Sequence, residues 1–430
     1  MFDGIALETM CRYCPEQDKI LGLCREHSNN INNQVDNVES VEKICSALAS
    51  DDSATKVCFG SDATVVAVAQ YSDDKYYSPI PLVASPSDKT EKADDLARWM
   101  RIVLDAWKSH KFGEKTNGPI WSLASDGDST YRAAKFKICM EKIIETNSFL
   151  GKVLKYLLGL NQFTSEDGIT LTGDPKHIFK QFATLLQSLA GFVINQNEIK
   201  PSDIAAHLAM LPDMDVKSAW QLLDPADKQN VPKAVTLLQS LLQLKDLPTP
   251  EHPAKNQKRK AIIFAAEFMG YFMCPFIDVD MNLTNQLENL ATYSFLAAAM
   301  YIRHGTNCLT SALYADTQAT VQNIIFTVVW MQKVDPEKGL YLLLEGTDRL
   351  EGLFGDCQTQ DHSRNFDIEQ LGQKLGVATL IHSTMQHNPD LDMGHRRLSL
   401  KNTMGVDHIN PKSSDVPGLA WAGLEWAQAC

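Results

Sequence analysis

Four side chains near the start of the chain have the types and spacing of a zinc site. Two pairs, Cys11-x2-Cys14 and Cys24-x2-His27, flank a segment of nine residues. Thiolate sulfur and imidazole nitrogen at such spacing can supply the tetrahedral ligand set that zinc prefers. Cysteine is also a common buried residue, so a hairpin that carries cysteines for packing explains the same pattern. The spacing alone does not separate the two interpretations.

A second group of candidate residues consists of carboxylates. Asp3 lies on the first predicted strand, Asp126 and Asp128 follow another strand, and Glu351 lies on a late helix. Carboxylates that converge from distant segments can hold two divalent cations, which stabilise the attacking and leaving oxygens of a phosphoryl displacement. Such oxygen-rich sites suit Mg²⁺. The chain has 53 acidic residues, most of them solvated, so the pattern alone does not single out these four.

The segment Gly173–Lys180 combines a helix start with two side chains that could bind phosphate. Asp174 has the type of an N-cap residue, and Pro175 suits the first helical position. His177 and Lys180 are three residues apart and therefore share a helix face, where both could meet a phosphate group. The motifs of a Walker-type phosphate loop, a serine nucleophile elbow and a zinc metalloprotease are absent from the sequence.

The elements that must position these residues change in type along the chain. In the first 180 residues, strands and helices alternate, and Asn/Asp/Ser-rich stretches lie between them. The predicted elements are a hairpin over 4–24 with its turn at 15–18, helices at 38–48 and 94–110, and strands at 64–69, 77–84 and 120–124.

Beyond residue 180 the apolar periodicity predicts helices only. They are expected at 182–193, 204–211, 231–244, 261–277, 283–303 and 319–333, with one or two more over 340–375. The apolar run 261–277 is broken by Glu267 and Pro275 and is shorter than the ~20 residues that span a bilayer, so it is predicted to be a core helix. Residues beyond 395 show no clear period.

The composition indicates a folded protein that is neither secreted nor membrane-bound. The 430 residues include 40 Lys and Arg against 53 Asp and Glu, a net charge of −13, which argues against broad non-specific affinity for nucleic acid. Asp3 stands where a secretory signal would be basic. Ten cysteines without a signal indicate reduced thiols, and therefore a nuclear or cytoplasmic location.

Four blocks, taken in order, resemble P-element-type (THAP-associated) transposases. They are Asp3–Glu8 with the hairpin to Leu23, Trp121–Ser129, Gly173–Lys180, and Gly346–Gly355 followed by Asn365. The resemblance spans about residues 1–375, and the sequence is similar to fungal, transposon-derived members. It implies an RNase H-like α/β fold, a mixed sheet with flanking helices, interrupted by a large all-α insertion. The implied parts are a first core segment at 1–180, the insertion at 181–334, closing helices at 335–395 and a low-order tail at 396–430.

The resemblance also implies the site residues. Asp3, Asp126 and Glu351 become the catalytic carboxylates that hold Mg²⁺ or Mn²⁺, with Asp128 and Asp62 in reserve. The cysteine-bearing hairpin becomes part of the core sheet, which makes zinc less favoured. The implied partner is DNA at transposon ends, bound by a protein that could be a homo-oligomer. The candidate DNA contacts are His177, Lys180 and the basic cluster Lys255, Lys258, Arg259 and Lys260.

The sequence departs from the family pattern in three respects. Only two residues precede Asp3, whereas the family's Asp lies inside a central strand, and an upstream DNA-recognition domain is not seen. The Arg that commonly follows the Glu helix is replaced by other residues at 356–359. Family members can bind guanine nucleotide in the insertion, but this insertion has no recognisable nucleotide motif. An N-terminally truncated, domesticated or decayed copy is therefore expected.

Three functions remain open from the sequence. The first is a metal-dependent nuclease and strand-transfer domain with a DDE carboxylate triad. The second is a catalytically silent binding or structural module. The third is a zinc-binding interaction protein built on Cys11, Cys14, Cys24 and His27.

Overall fold

The chain folds into two compact units. The computed structural model describes residues 1–27, 29–71, 78–157, 159–226, 230–278, 280–360 and 365–388, and the predicted tail 396–430 lies outside them. Unit 1 contains Met1–Ile138 and resumes at Gly346, and unit 2 contains Cys139–Glu345. Two distant segments of the sequence therefore form unit 1.

The first segment of unit 1 alternates strands with helices. Its elements are β1 (Phe2–Ala6), β2 (Arg12–Cys14), β3 (Lys19–Leu21), α1 (Val38–Leu48), β4 (Asp62–Val68), β5 (Ile80–Ser87), α2 (Ala93–Ser109), α3 (Glu114–Asn117), β6 (Ser122–Ala124) and α4 (Ser129–Cys139), with a 3₁₀ turn at Arg25–His27.

The main sheet of unit 1 has the order β1-β4-β5, and both pairs are antiparallel. Strand β4 is the predicted buried strand, with Ala63, Val65 and Ala67 fully buried, and β5 is its neighbour as the sequence predicts. On the other side of β1, Phe2 forms a parallel bridge with Ser125, directly after β6. Alternate residues of β1 point to opposite faces of the sheet. Phe2 meets Trp99 of α2 edge-to-face, with ring centroids 6.2 Å apart.

The cysteine-bearing hairpin was predicted to join this core sheet, and that prediction is wrong. Strands β2 and β3 pair only with each other among the described strands, with three residues each. Arg12 and Tyr13 are exposed, so β2 has no apolar face to bury in a sheet centre. The longer apolar strand β4 takes the position beside β1 instead.

Unit 2 is mainly helical but also contains short strands. Its elements are β7 (Lys142–Ile143), α5 (Phe149–Leu154), β8 (Phe163–Thr164), β9 (Thr170–Thr172), α6 (Pro175–Gln187), β10 (Phe192–Ile194), β11 (Asn197–Ile199), α7 (Pro201–Leu208), α8 (Val216–Leu222), α9 (Val231–Gln243), α10 (Pro253–Ile277), α11 (Leu283–His304) and α12 (Ser311–Val334).

The predicted all-α character of this region is therefore corrected. The helix expected over 182–193 ends at Gln187, and β10 and β11 form an antiparallel hairpin after it. The two residues between these strands, Asn195 and Gln196, both have positive φ, as a tight two-residue hairpin turn requires. Helical periodicity in the apolar residues before the turn concealed the change of structure.

The core of unit 2 contains an aromatic cluster. We use this name for Phe179, Phe182, Phe268, Phe272, Phe276 and Tyr293, which are at most 1% exposed. The helix α10 contributes three of these rings, which confirms the core helix predicted at 261–277. By length and composition α10 could cross a membrane, but 67% of its most apolar stretch is buried inside the protein.

Two helices close unit 1 after the chain returns from unit 2. They are α13 (Asp348–Thr359) and α14 (Ile368–His387). Leu350, Leu353 and Phe354 of α13 join one buried cluster with Ile5 of β1 and Val65 of β4. Polar contacts also join the chain's distant parts: Glu8 N donates to Phe366 O at 2.9 Å, and Arg12 Nε contacts the buried carboxylate of Asp367 at 2.6 Å.

Candidate functional site

Asp3 lies on the sheet face that α13 and α14 cover. It pairs with Val65 across β1 and β4, and Ile5 pairs with Ala63 two residues further along. Because side chains two residues apart share a face, Asp3 points to the same side as Ile5, whose neighbours are in α13. Asp3 is 8% exposed, and its Oδ1 accepts from Gly4 N at 2.8 Å. A carboxylate so buried requires positive charge or hydrogen bonds around it.

Asp126 lies directly after the bridge that joins β1 to the end of β6. The parallel bridge joins Phe2 to Ser125, and Asp3 and Asp126 each follow a bridged residue by one position. Asp126 Oδ1 accepts from Asp128 N at 3.2 Å. The structure thus brings two of the sequence-predicted carboxylates to neighbouring segments, each one residue beyond the bridge.

The two reserve carboxylates have structural partners of their own. Asp128 Oδ1 accepts from Thr130 N at 2.8 Å and from Tyr131 N at 3.1 Å, and so caps the start of α4. Asp62 pairs with Ala6, three residues along β1 from Asp3, which is roughly 10 Å at 3.3 Å per residue. Its Oδ1 forms an ion pair with Lys89 Nζ at 2.9 Å. The fold therefore does not bring Asp62 to Asp3.

Glu351 is carried by the helix that faces Asp3. It lies in the first turn of α13, where its amide donates to Thr347 O at 3.0 Å. Leu350 and Leu353 on either side are fully buried against the sheet, and Glu351 is half-buried at the edge of that contact. The helical spacing thus holds Glu351 beside the covered face of β1.

Two buried cations lie near the Met1 amino group, two residues before Asp3, and sequence inspection missed both. Burial and the nearby charges of Arg349 and Lys135 lower the pKa of the Met1 amino group to about 5, while the Asp3 charge acts in the opposite direction. Lys135 and Arg349 are 3% and 6% exposed. Lys135 has no distinguishing motif in α4, and Arg349 lies within the Gly346–Gly355 block without a signal of burial. The four groups form a mixed-charge neighbourhood around the first strand.

One member of the predicted phosphate-binding pair in unit 2, His177, interacts with the cap of its own helix. Asp174 is the N-cap of α6, as predicted, and accepts from His177 N at 3.1 Å, while His177 Nδ1 lies 3.4 Å from the same carboxylate. Burial opposes ionisation of Asp174, but the hydrogen bonds and charge of His177, with Lys176, outweigh it and lower its pKa to about 2. Lys180 is half-buried one turn further along.

The basic cluster at the start of α10 is only partly available to a ligand. Lys255 and Lys260 are exposed. Lys258 Nζ is paired with Asp203 at 2.9 Å. Arg259 is 6% exposed, and its Nη1 donates to Pro248 O at 2.6 Å. Arg259 therefore holds the preceding loop, and its role as a DNA contact stays a prediction.

The four residues of the predicted zinc set do not come together. Cys14 pairs with Lys19 beside the hairpin turn, whereas Cys24 lies five residues beyond Lys19, roughly 15 Å away along an extended chain. Burial and the neighbouring Cys45 raise the pKa of Cys11 to about 11. Cys24 and His27 do meet, but with Asp88 as their third neighbour.

Comparisons with known proteins identify a similar fold. No protein-family model and no curated protein matches the sequence. The fold is similar to a chain of the solved "Drosophila P element transposase strand transfer complex", with a TM-score of 0.54 and 11% identity, over 90% of this chain and 76% of that chain. At this identity the likeness concerns the fold alone. It supports a P-element-transposase-like fold, whereas a fungal origin and a truncation stay predictions.

Proposed function

We propose that this chain is a transposase-derived DNA nuclease and strand-transfer domain with an RNase H-like core in unit 1. The observation that supports the proposal is that Asp3 on β1 and Asp126, just after β6, each follow a bridged residue by one position, while Glu351 lies on the helix over the Asp3 face. The sheet order β1-β4-β5 with β6 beside β1 supports the RNase H-like assignment. The likeness to the transposase chain supports the same lineage.

The donor set of Asp3, Asp126 and Glu351 fits Mg²⁺ or Mn²⁺, because carboxylate oxygen is the ligand that these hard cations prefer. When bound, such ions supply Lewis-acid stabilisation of the attacking and leaving oxygens. The chain's own residues position the ligands. Register fixes Asp3, the turn before α4 orients Asp126, and the packed first turn of α13 holds Glu351.

The proposed reaction is the breakage of a phosphodiester bond. A water or a DNA 3′-hydroxyl attacks phosphorus through its oxygen and loses its proton to solvent. The bond between phosphorus and the leaving 3′-oxygen breaks, and that oxygen takes up a proton from solvent and becomes a 3′-hydroxyl. Lys135 and Arg349 add buried positive charge beside Met1, two residues from Asp3, and such charge favours a phosphate at this end of β1.

Metal-dependent nicking of end-labelled DNA tests this function. We compare the wild type with Glu351→Gln in buffers that contain about 5 mM Mg²⁺, about 5 mM Mn²⁺ or EDTA. Loss of a metal ligand removes several kcal/mol of transition-state stabilisation. We therefore expect Glu351→Gln to cleave DNA at least about 100-fold more slowly than the wild type. Asp105→Asn, an exposed carboxylate in α2 of the same unit, is the matched control and should cleave like the wild type.

Two results would contradict the proposal. One is cleavage by Glu351→Gln at the wild-type rate, which would assign the activity to a contaminant or to another site. The other is a folded wild type, verified by circular dichroism, that does not cleave DNA with either metal. The second result would favour a catalytically silent module.

DNA binding outside the carboxylate site is part of the same proposal. Lys255 and Lys260 are the exposed candidates, with His177 and Lys180 at the start of α6. A nuclear or cytoplasmic location and a homo-oligomeric state belong to the proposal as well. Guanine-nucleotide binding by unit 2 rests on the family resemblance alone.

A further inference from the structure

A second cluster of metal-binding side chains lies in unit 1, apart from the three carboxylates. Cys24 Sγ lies 3.0 Å from His27 Nδ1 and 3.7 Å from Asp88 Oδ2, and His27 Nδ1 lies 3.6 Å from Asp88 Oδ2. The proposed DNA reaction uses none of these residues. Cys24 and His27 follow β3, whereas Asp88 follows β5, so the cluster joins segments that are more than 60 residues apart.

The distances match those of a tetrahedral zinc site. With zinc about 2.3 Å from sulfur and about 2.0 Å from nitrogen and oxygen, tetrahedral ligand atoms lie roughly 3.3–3.6 Å apart. The three observed separations lie within about half an ångström of that range. The three contacts are two hydrogen bonds and an ion pair, and the same mutual approach of sulfur, nitrogen and carboxylate oxygen is the arrangement that a metal requires.

Cys58 lies next to this cluster and is the candidate for a fourth donor. Burial and the neighbouring Asp88 carboxylate raise the pKa of its thiol. The backbone holds it there, because Cys24 N donates to Cys58 O at 2.9 Å beside the antiparallel bridge between Leu23 and Phe59. The donors are then two sulfurs, one imidazole nitrogen and one carboxylate oxygen.

Groups around the cluster hold the ligands in place. Asp88 Oδ1 accepts from Thr90 N at 3.0 Å and from Thr90 Oγ1 at 2.6 Å, which leaves Oδ2 for the cluster. Arg25 lies between Cys24 and His27 in the chain. It forms an ion pair with Glu91 at 2.7 Å, and its guanidinium lies 4.4 Å from the centre of the Trp99 ring. Such outer contacts orient metal ligands in advance.

We propose that Cys24, His27, Asp88 and Cys58 bind a structural Zn²⁺. Two sulfurs and a nitrogen exclude Mg²⁺ and Ca²⁺ as the natural occupant, because these cations prefer oxygen throughout. Cys24 is 1% exposed, and the side chains of His27 and Asp88 are 24% and 13% exposed, so the site is closed, as structural zinc sites are. The ion ties the segments after β3 and β5 to the segment before β4.

Metal analysis of the full-length chain, purified under reducing conditions without chelator, tests the site. We expect stoichiometric zinc in the wild type and in the control Cys45→Ser, whose thiol is exposed on α1, and loss of zinc in Cys24→Ser. EDTA should lower the Tm of the wild type and leave that of Cys24→Ser unchanged. Replacement by Co²⁺ should give the visible spectrum of a tetrahedral site with two thiolates, and Cys58→Ser should lose part of the thiolate charge-transfer band.

If Cys24→Ser does not fold, bound zinc is measured in Cys58→Ser and Asp88→Asn instead. Each of these variants changes a less buried residue. The proposal is overturned by a reduced wild type that neither contains zinc nor takes up added Zn²⁺ or Co²⁺. It is also overturned by zinc that persists at full occupancy in all three ligand variants. A Cys24–Cys58 disulfide in the freshly isolated, metal-free protein would assign the two thiols to that bond instead.

Discussion

The buried N-cap Asp174 is expected to stabilise the fold through its negative charge. Its side chain is 1% exposed, receives the His177 amide and lies 3.4 Å from the imidazole. Asp174→Asn keeps an oxygen that can cap α6 but removes the charge, because Asn and Asp are comparable N-caps. The variant therefore isolates the electrostatic part of the interaction.

The size of the effect follows from the pKa of Asp174, which the fold lowers from 3.8 to about 2. A shift of nearly two pH units corresponds to about 2 kcal/mol. Because the folded-state pKa lies below the unfolded value, this stability is fully present well above pH 4. It is lost as the pH falls through 3.8 towards 2, where Asp174 becomes protonated in both states.

Urea unfolding followed by circular dichroism measures the effect at several pH values. At pH 6 we expect Asp174→Asn to be about 2 kcal/mol less stable than the wild type, with the difference shrinking steadily below pH 4. Asp215 caps α8 in the same way, with Oδ1 accepting from Ser218 N at 2.7 Å, but it is exposed. Asp215→Asn is therefore the matched control and should change stability far less.

Two outcomes would refute this reasoning. Equal stability of the wild type and Asp174→Asn at pH 6 would mean that the charge contributes nothing. A difference that stays constant from pH 6 to pH 3 would mean that the amide disturbs packing and that the ionisation of Asp174 is not responsible.

Further stability predictions concern packing and helix composition. Phe272→Ala, in the centre of the aromatic cluster, should lower the free energy of unfolding by about 3–5 kcal/mol in urea titrations, because the ring is fully buried. Phe112→Ala, at a position 60% exposed, is its control, and equal losses in both variants would contradict the packing argument. Gly376→Ala in α14 should raise stability by about 1 kcal/mol, since an added Cβ meets nothing within 4 Å. Gly151→Ala in α5 should lower stability, because an added Cβ would clash with the carbonyl oxygen of Glu145. A Tm of this variant above that of the wild type would refute the prediction.

Sequence patterns predicted the elements that are specified by residues close together in the chain. The period of apolar residues identified the core helix α10, and the Asp-Pro pair located the start of α6. The hairpin β10–β11 was not predicted from the sequence, because its turn has Asn195 and Gln196 at positive φ and lacks the glycine that usually marks such a turn. The hairpin β2–β3 was recognised, but its exclusion from the main sheet depends on competition with β4 for the place beside β1.

Ligand sets were harder to predict, because their members meet only through tertiary structure. Cys24 and His27 were recognised as a pair from their spacing, whereas Asp88 and Cys58 come from other segments that the sheet brings alongside. Cys14 was assigned to the same set because it is near in sequence, although an antiparallel hairpin separates a residue at its turn from one at its open end. Lys135 carries no local signal, since only the folded neighbourhood of β1 makes it buried.

Because unit 1 consists of two distant segments, it can finish folding only after the second segment has been synthesised. Strands β1, β4 and β5 leave the ribosome first, but α13 and α14, which cover their apolar face, follow roughly 260 residues later, about 13–52 s at ordinary elongation rates. During that interval the Ile5 face of the sheet has no cover, while the contiguous unit 2 can fold. Glu351 arrives only with α13, so a nascent or prematurely terminated chain holds Asp3 and Asp126 without their third carboxylate. Under the proposed function, a half-made protein therefore lacks the complete carboxylate set.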